Sequence, residues 1–185
     1  MGGDVHQAAF VRGGVRAPCS TTSSSWSIRA ADVTFAQLSG GEQPGEVTFG
    51  EAFAVQPFGN NLVTLTLTGA QIDTLLEQQW SVSVAGEKAN MLQVSQGFTY
   101  EYDPLQPVGS RVDPASIKLN GVTLDPNATY RVTCNSFVAE GGDGFAIMKS
   151  GTDRLAGVLD LDSLLAYLAS ASPVAPGAQD RIVRK

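Results

Sequence analysis

The chain has 185 residues, 43% of them hydrophobic and 16% charged, with a formal net charge of −6. That length and apolar content allow one domain with a substantial core. No segment reaches the roughly 18 consecutive apolar residues of a membrane span, and a net negative chain without clustered Lys and Arg is not built to bind a nucleic-acid polymer.

The start, MGGDVHQAAF, lacks the basic and then apolar pattern of a secretory leader, so the expectation is a soluble chain. It carries the single histidine, His6. Zinc and di-metal hydrolase sites usually draw on several His and carboxylate ligands, and a Ser-His-Asp triad needs a positioned imidazole. His6 is therefore expected to be an isolated surface residue, with no metal site and no complete hydrolytic centre in this chain.

Residues 7–16, QAAFVRGGVR, read as an apolar strand interrupted by glycines. The serine-rich run CSTTSSSWS, 19–27, reads as a loop. Its Cys19 and the later Cys134 fall short of a disulfide scaffold. One bridge between them and two separate buried thiols both stand open, the second being preferred. After a further loop, SGGEQPG, Thr48 and Glu51 have the spacing of a capping box and predict a short helix from near Thr48, which Pro57 ends.

NLVTLTLT, 61–68, alternates Val63, Leu65 and Leu67 with Thr64, Thr66 and Thr68, the pattern of a half-buried strand. Thr68 and Gln71 open a second boxed helix whose inward stripe is Ile72, Leu75, Leu76 and Gln79. GFTYEY, 97–102, alternates again. SIKLNGVTL, 116–124, predicts a hairpin, because Asn120-Gly121 tolerates the positive φ values of a type I′ turn. TYRVTCNSF predicts a strand with Tyr130, Val132 and Cys134 on one face, DLDSLLAYLAS a late helix capped by Asp160, and QDRIVRK a short closing strand. Strands interleaved with helices and a hairpin indicate an α+β fold with a mixed sheet.

Three turns combine glycines with residues able to hold a ligand: RGGVR with Gly13, Gly14 and Arg16; QPFGN with Phe58 and Asn60; and GGDGF with Asp143, close after Asn135 and Phe137. A backbone without Cβ atoms lets a ligand approach closely. Arg grips phosphate in fork geometry, two aromatic faces can hold a flat heterocycle, and a carboxylate accepts from sugar hydroxyls. Such a set would suit a nucleotide-sized ligand. On composition alone the plainer alternative is preferred: loop glycines, an Arg16 paired with a surface acid, and Phe58 and Phe137 as core residues closing the ends of the sheet.

The wording of four segments goes further. GGVR, VTFGEAFAVQPFGNNLVTLTLTGAQIDTLLEQQ, LQVSQGFTYEYD and NSFVAEGGDGF, in that order, resemble the C-terminal domain of the 5′-nucleotidase family, which includes UDP-sugar hydrolases and 2′,3′-cyclic-nucleotide phosphodiesterases. The resemblance runs from about residue 8 to Ile182, so residues 1–185 are expected to form one such substrate-specificity domain. It implies a separate N-terminal metallophosphatase domain as partner, with two divalent metal ions that perform the hydrolysis there. It also implies that Phe58 and Phe137 sandwich the base, Asp143 holds the ribose hydroxyls, Asn60 touches the base edge, and Arg16 contacts the phosphate beside Gly13 and Gly14. Relatives are mostly secreted, periplasmic or surface-anchored, and serve nucleotide catabolism.

Departures accompany the likeness. Val11 and Arg12 precede the GGVR turn where relatives commonly carry Asn with Gly or Pro, Ala89 stands where a family glycine often lies, and the loop after GGVRAP is longer than usual. Arg12 is expected to face solvent rather than a phosphate. The leading expectation is thus a nucleotide-recognition domain, inactive alone. The alternatives are a stand-alone nucleoside-binding or interaction module, and a chain that dimerises through exposed apolar surface.

Overall fold

The computed structural model describes residues 6–11 by their backbone, and residues 47–80, 89–171 and 178–185. Arg12, Gly13, Gly14, Arg16, Cys19 and the serine-rich loop of 19–27 lie outside the described residues.

Local signals set most elements. Strand β1 is His6–Val11 and helix α1 is Phe49–Val55, started by the Thr48–Glu51 capping box. In that box the Glu51 Oε2 accepts from the Thr48 amide at 2.7 Å, while the Thr48 Oγ1 accepts from the Glu51 amide at 3.3 Å. Strand β2 is Asn61–Thr68, and its last residue caps helix α2, Gly69–Glu77, through the second box with Gln71. Two-residue strand β3, Gln93–Val94, precedes β4, Phe98–Tyr102. Strands β5, Lys118–Leu119, and β6, Val122–Thr123, form the expected hairpin, with φ of 52° at Asn120 and 81° at Gly121. Strand β7, Thr129–Asn135, runs directly into the four-residue helix α3, Ser136–Ala139. Strand β8, Thr152–Leu159, helix α4, Asp160–Ala171, and β9, Ile182–Arg184, complete the order.

Among the described residues the strands form two sheets, ordered β3-β1-β7-β2-β8 and β6-β5-β4-β9. The β1–β7 and β4–β9 pairs are parallel and the others antiparallel, so both sheets are mixed. With four helices alongside, the fold is α+β.

One core joins the two sheets. Leu65 and Leu67 of β2, Val132 and Cys134 of β7, Ile72, Leu75 and Leu76 of α2, and Phe98 and Tyr100 of β4 pack in a single buried cluster. Gln79, read as the polar member of the α2 stripe, sits instead in the 3₁₀ turn Gln78–Trp80 that follows α2, only 1% exposed. Its Oε1 accepts from the Leu92 amide at 2.8 Å and from the Tyr100 hydroxyl at 3.2 Å, and its Nε2 donates to the Leu76 carbonyl at 2.8 Å. Both ends of the amide are therefore satisfied, which removes the penalty of burying it. Burial also pushes the Tyr100 phenol well up, keeping it a donor.

A second, smaller cluster contains Ala52 and Val55 of α1, Leu62 of β2, and Leu161 and Leu164 of α4. It corrects the half-buried expectation for β2. The strand starts with Leu62 buried on the face opposite Leu65 and Leu67, because α1 and α4 cover that end. Further along the same face, Thr64 Oγ1 lies 2.8 Å from Thr133 Oγ1, and the Arg131 guanidinium donates to Thr66 Oγ1 at 2.7 Å.

Candidate functional site

The end of the sheet where β2 begins and β7 finishes carries two exposed rings. The β2–β7 register pairs Leu62 with Asn135, so the turn before β2 and helix α3 after β7 are brought side by side. Phe58 stands in that turn, 74% exposed, and Phe137 stands on α3, 49% exposed. Neither is a core residue. Leaving a large apolar ring fully exposed forgoes about 1.5–3 kcal/mol of burial, a cost that Phe58 bears more fully than Phe137; Phe49 and Phe53 of α1 are exposed as well, but those two stack on each other. Between the Phe58 turn and α3, the Ser136 hydroxyl donates to Asn60 Oδ1 at 3.0 Å, linking residues 76 apart in sequence. Phe58 lies two residues before one end of that bond and Phe137 one residue after the other.

Helix α3 is short but fixed at both ends. Asn135 is its N-cap and accepts from the Val138 amide at 2.9 Å. At its other end Arg154 of β8 donates to the Ala139 carbonyl at 2.8 Å and pairs with Glu140 at 2.8 Å. Charge-assisted bonds of this kind hold geometry more firmly than neutral ones. Asn135, which the sequence grouped with the ligand-facing residues, thus serves as a helix cap.

The GGDG turn lies under Phe137. A Cβ on Gly142 would stand 2.5–2.7 Å from three atoms of the Phe137 ring, so the ring rests directly on glycine backbone. Gly141, Asp143 and Gly144 all have positive φ, of 79°, 57° and 88°. The left-handed conformation is free for glycine and costs an Asp roughly 1 kcal/mol or more. Asp143 is held in it by its surroundings, among them the Asn90 side chain, which donates to the Asp143 carbonyl at 3.2 Å. Asp143 therefore follows directly on the glycine that carries the Phe137 ring.

Asn60 is placed differently from Phe58. Besides its bond to Ser136, its carbonyl accepts from the Asp160 amide at 2.8 Å, and its side chain hydrogen-bonds the Asp160 carboxylate. Asp160 is 4% exposed at the start of α4. Burial pushes its carboxyl above the ordinary aspartate value, opposed by bonds from the Leu161 amide, its own amide and Asn60. Asp160 was expected as the cap of α4; it is instead the helix's first residue, and its Oδ1 accepts from the next amide, Leu161, at 2.8 Å. Its tie to Asn60, like the seating of Phe137 on Gly142, had no signal in the sequence beyond the residue types.

Of the expected site residues, the described structure thus brings together Phe58, Asn60, Phe137 and Asp143, while Gly13, Gly14 and Arg16 lie outside it. Ala89 is half-buried and packs against the main core. Among the described residues, no group of three or more His, Cys, Asp or Glu could hold a metal ion. The donor set does not fit a di-metal centre, and no hydrolytic step is assigned to these residues. No helix among them is long and apolar enough to cross a membrane.

The sequence and fold of this chain have counterparts. The family model described as 5′-nucleotidase, C-terminal domain, matches residues 6–150. A 5′-nucleotidase-related protein of Glossina morsitans morsitans is 32% identical over 145 residues, covering 75% of this chain and 26% of that protein. A cell wall protein of Listeria monocytogenes is 30% identical over 168 residues, covering 90% of this chain and 19% of that protein. The crystal structure of a 5′-nucleotidase precursor from Thermus thermophilus superposes with a TM-score of 0.71 at 33% identity, covering 97% of this chain and 31% of that one.

The chain belongs to the 5′-nucleotidase family, matching its C-terminal domain. It spans less than a third of the length of each of these relatives.

Proposed function

We propose that this chain is the nucleotide-recognition part of a phosphoester hydrolase, with Phe58 and Phe137 closing on the two faces of a base. What supports the reading above all is that both rings are exposed at the same end of the sheet, on the two segments that the Asn60–Ser136 bond joins. Asp143 is the acceptor for ribose hydroxyls, and Arg16, beside Gly13 and Gly14, is the phosphate contact. The amide of Asn60 has its oxygen and its nitrogen engaged within the chain, which favours a supporting role over contact with the base edge.

In this reading residues 1–185 act as one substrate-specificity domain. Hydrolysis is carried out by a separate metallophosphatase domain with two divalent metal ions, toward which the bound phosphate is oriented. Holding a substrate in the reactive orientation is itself catalytic, because it removes translational and rotational freedom before the reaction. The names of the relatives support a 5′-nucleotidase-type substrate, and the Listeria relative's description as a cell wall protein supports action outside the cytoplasm.

Calorimetric titration with adenosine, uridine, AMP and UMP tests the slot. Stacking on an aromatic side chain contributes about 1–3 kcal/mol per base, so Phe58→Ala and Phe137→Ala should each weaken binding on the order of 5- to 150-fold. Binding that survives both substitutions unchanged removes the slot, and the absence of binding by all four ligands overturns the assignment. The chain alone, supplied with Mg²⁺ or Mn²⁺, should release no phosphate from AMP above background. Turnover at an enzyme-like rate would contradict the division of labour.

A further inference from the structure

Three segments meet at one side chain. Asn60 belongs to the turn that carries Phe58, Ser136 opens helix α3 one residue before Phe137, and Asp160 begins helix α4. The Asn60 Oδ1 accepts the Ser136 hydroxyl at 3.0 Å, its amide nitrogen faces the Asp160 carboxylate, and its main-chain oxygen takes the Asp160 amide at 2.8 Å. An Asn side chain offers one acceptor oxygen and one donor nitrogen, and here each is committed to a different element.

Such a junction is an expensive way to join two helices and a turn. A carboxylate taken out of water is disfavoured unless it is fully hydrogen-bonded, and apolar side chains of similar volume usually serve stability as well or better. Apolar neighbours are at hand, since Leu62, Leu161 and Leu164 pack together beside it. What the polar tie supplies, and a leucine would not, is a fixed direction and distance between the segments it joins. Two of those segments carry Phe58 and Phe137.

We propose that Ser136 and Asp160 are positioning residues for the aromatic slot: by gripping Asn60 from two sides they set the separation of Phe58 and Phe137, and so the thickness of the flat ligand admitted. This rests on the nucleotide-binding reading above and adds to it the residues that set the slot's width.

The test is titration with adenosine of the unsubstituted chain and of Ser136→Ala, Ser136→Thr, Asp160→Ala and Asp160→Asn, each in the native and in the Phe58→Ala background. Loss of one hydrogen bond of the tie should weaken adenosine about 3- to 10-fold. Ser136→Thr, which keeps the hydroxyl, and Asp160→Asn, which keeps an acceptor, should restore most of it. In the Phe58→Ala background the Ser136→Ala effect should vanish, because there is no longer a wall to position. If Asp160→Ala does not fold, the Ser136 pair and Asp160→Asn carry the test alone.

Adenosine binding that is unaffected by Ser136→Ala overturns the inference while leaving the slot intact. A loss of equal size in both backgrounds also overturns it, since it would mark a merely structural contact. If the unsubstituted chain binds adenosine and binding is lost with neither ring removed, the slot itself is wrong and the positioning role falls with it.

Discussion

The two turns that carry the exposed rings are built to different degrees of firmness. Phe137 lies on the backbone of Gly142, on a helix capped by Asn135 and gripped by Arg154, above a GGDG turn with positive φ at Gly141, Asp143 and Gly144. Phe58 stands in a turn where Gly59, at φ 62°, would meet nothing within 4 Å of an added Cβ, and where Asn60 supplies the tie to the neighbouring segments. One wall is backed by close-packed atoms that cannot yield without cost. The other is anchored at its foot and open around its tip. In the slot proposed above, one fixed and one adjustable wall would suit stacking, which tolerates different bases because each presents a π-face.

Gly142→Ala should break this contrast most severely. Its Cβ would stand 2.5–2.7 Å from the Phe137 ring, so the ring must leave its seat. Adenosine affinity should fall by an amount approaching the loss of a whole stacking partner, on the order of 10-fold or more, in a chain whose circular dichroism stays native. Unchanged affinity would mean the Phe137 wall is not fixed by the glycine.

Gly59→Ala should act on stability instead. It meets open space but must hold a left-handed φ, which costs roughly 1–2 kcal/mol, read as a lower urea midpoint with adenosine affinity close to that of the parent. An affinity loss as large as that from Gly142→Ala would show the Phe58 wall to be as rigid as its partner.

The smallest effect concerns the buried carboxylate under the Phe58 turn. Burial holds the Asp160 pKa above its ordinary value of 3.8, so between that value and the raised one the folded chain binds more protons than the unfolded chain. The associated stability is present below the ordinary value and is lost as pH rises through the raised one. Asp160→Asn removes that titration. Relative to the parent, the variant should therefore be more stable at pH 7 than near pH 3, measured by urea midpoints at both. The opposite sign would mean that the bonds from Leu161 and Asn60 outweigh burial.

Much of the scaffold was legible because its signals are local. Thr48 with Glu51 and Thr68 with Gln71 lie three residues apart, and each box started a helix where the spacing placed it. Asn120-Gly121 declared its hairpin in the same way. Strand β8 was not legible: all of its residues, Thr152–Leu159, are exposed, so no burial alternation marks TDRLAGVL as a strand. The burial of Leu62 was outside the alternation read for β2, because its cover comes from α1 and from α4, the latter about a hundred residues on in the chain. At the site, glycine-bearing turns with Phe58 and Phe137 stood out by composition, whereas the roles of Ser136, Asp160 and Gly142 depend on contacts between distant segments that no spacing rule encodes.

Strand β8 forms an outer margin of the five-stranded sheet among the described residues, with Leu155, Val158 and Leu159 turned outward. A long bare margin of this kind invites another chain to add itself rung by rung. Here the pairing with β2 slips twice, between Asn61 and Val63 and again between Thr64 and Thr66, and Asp153 adopts a φ of 48°. Arg131 nails the irregularity down, holding the Asp153 carbonyl at 2.8 Å. The crooked rail offers an incoming strand no straight template to copy, so its geometry works against fibre-like stacking.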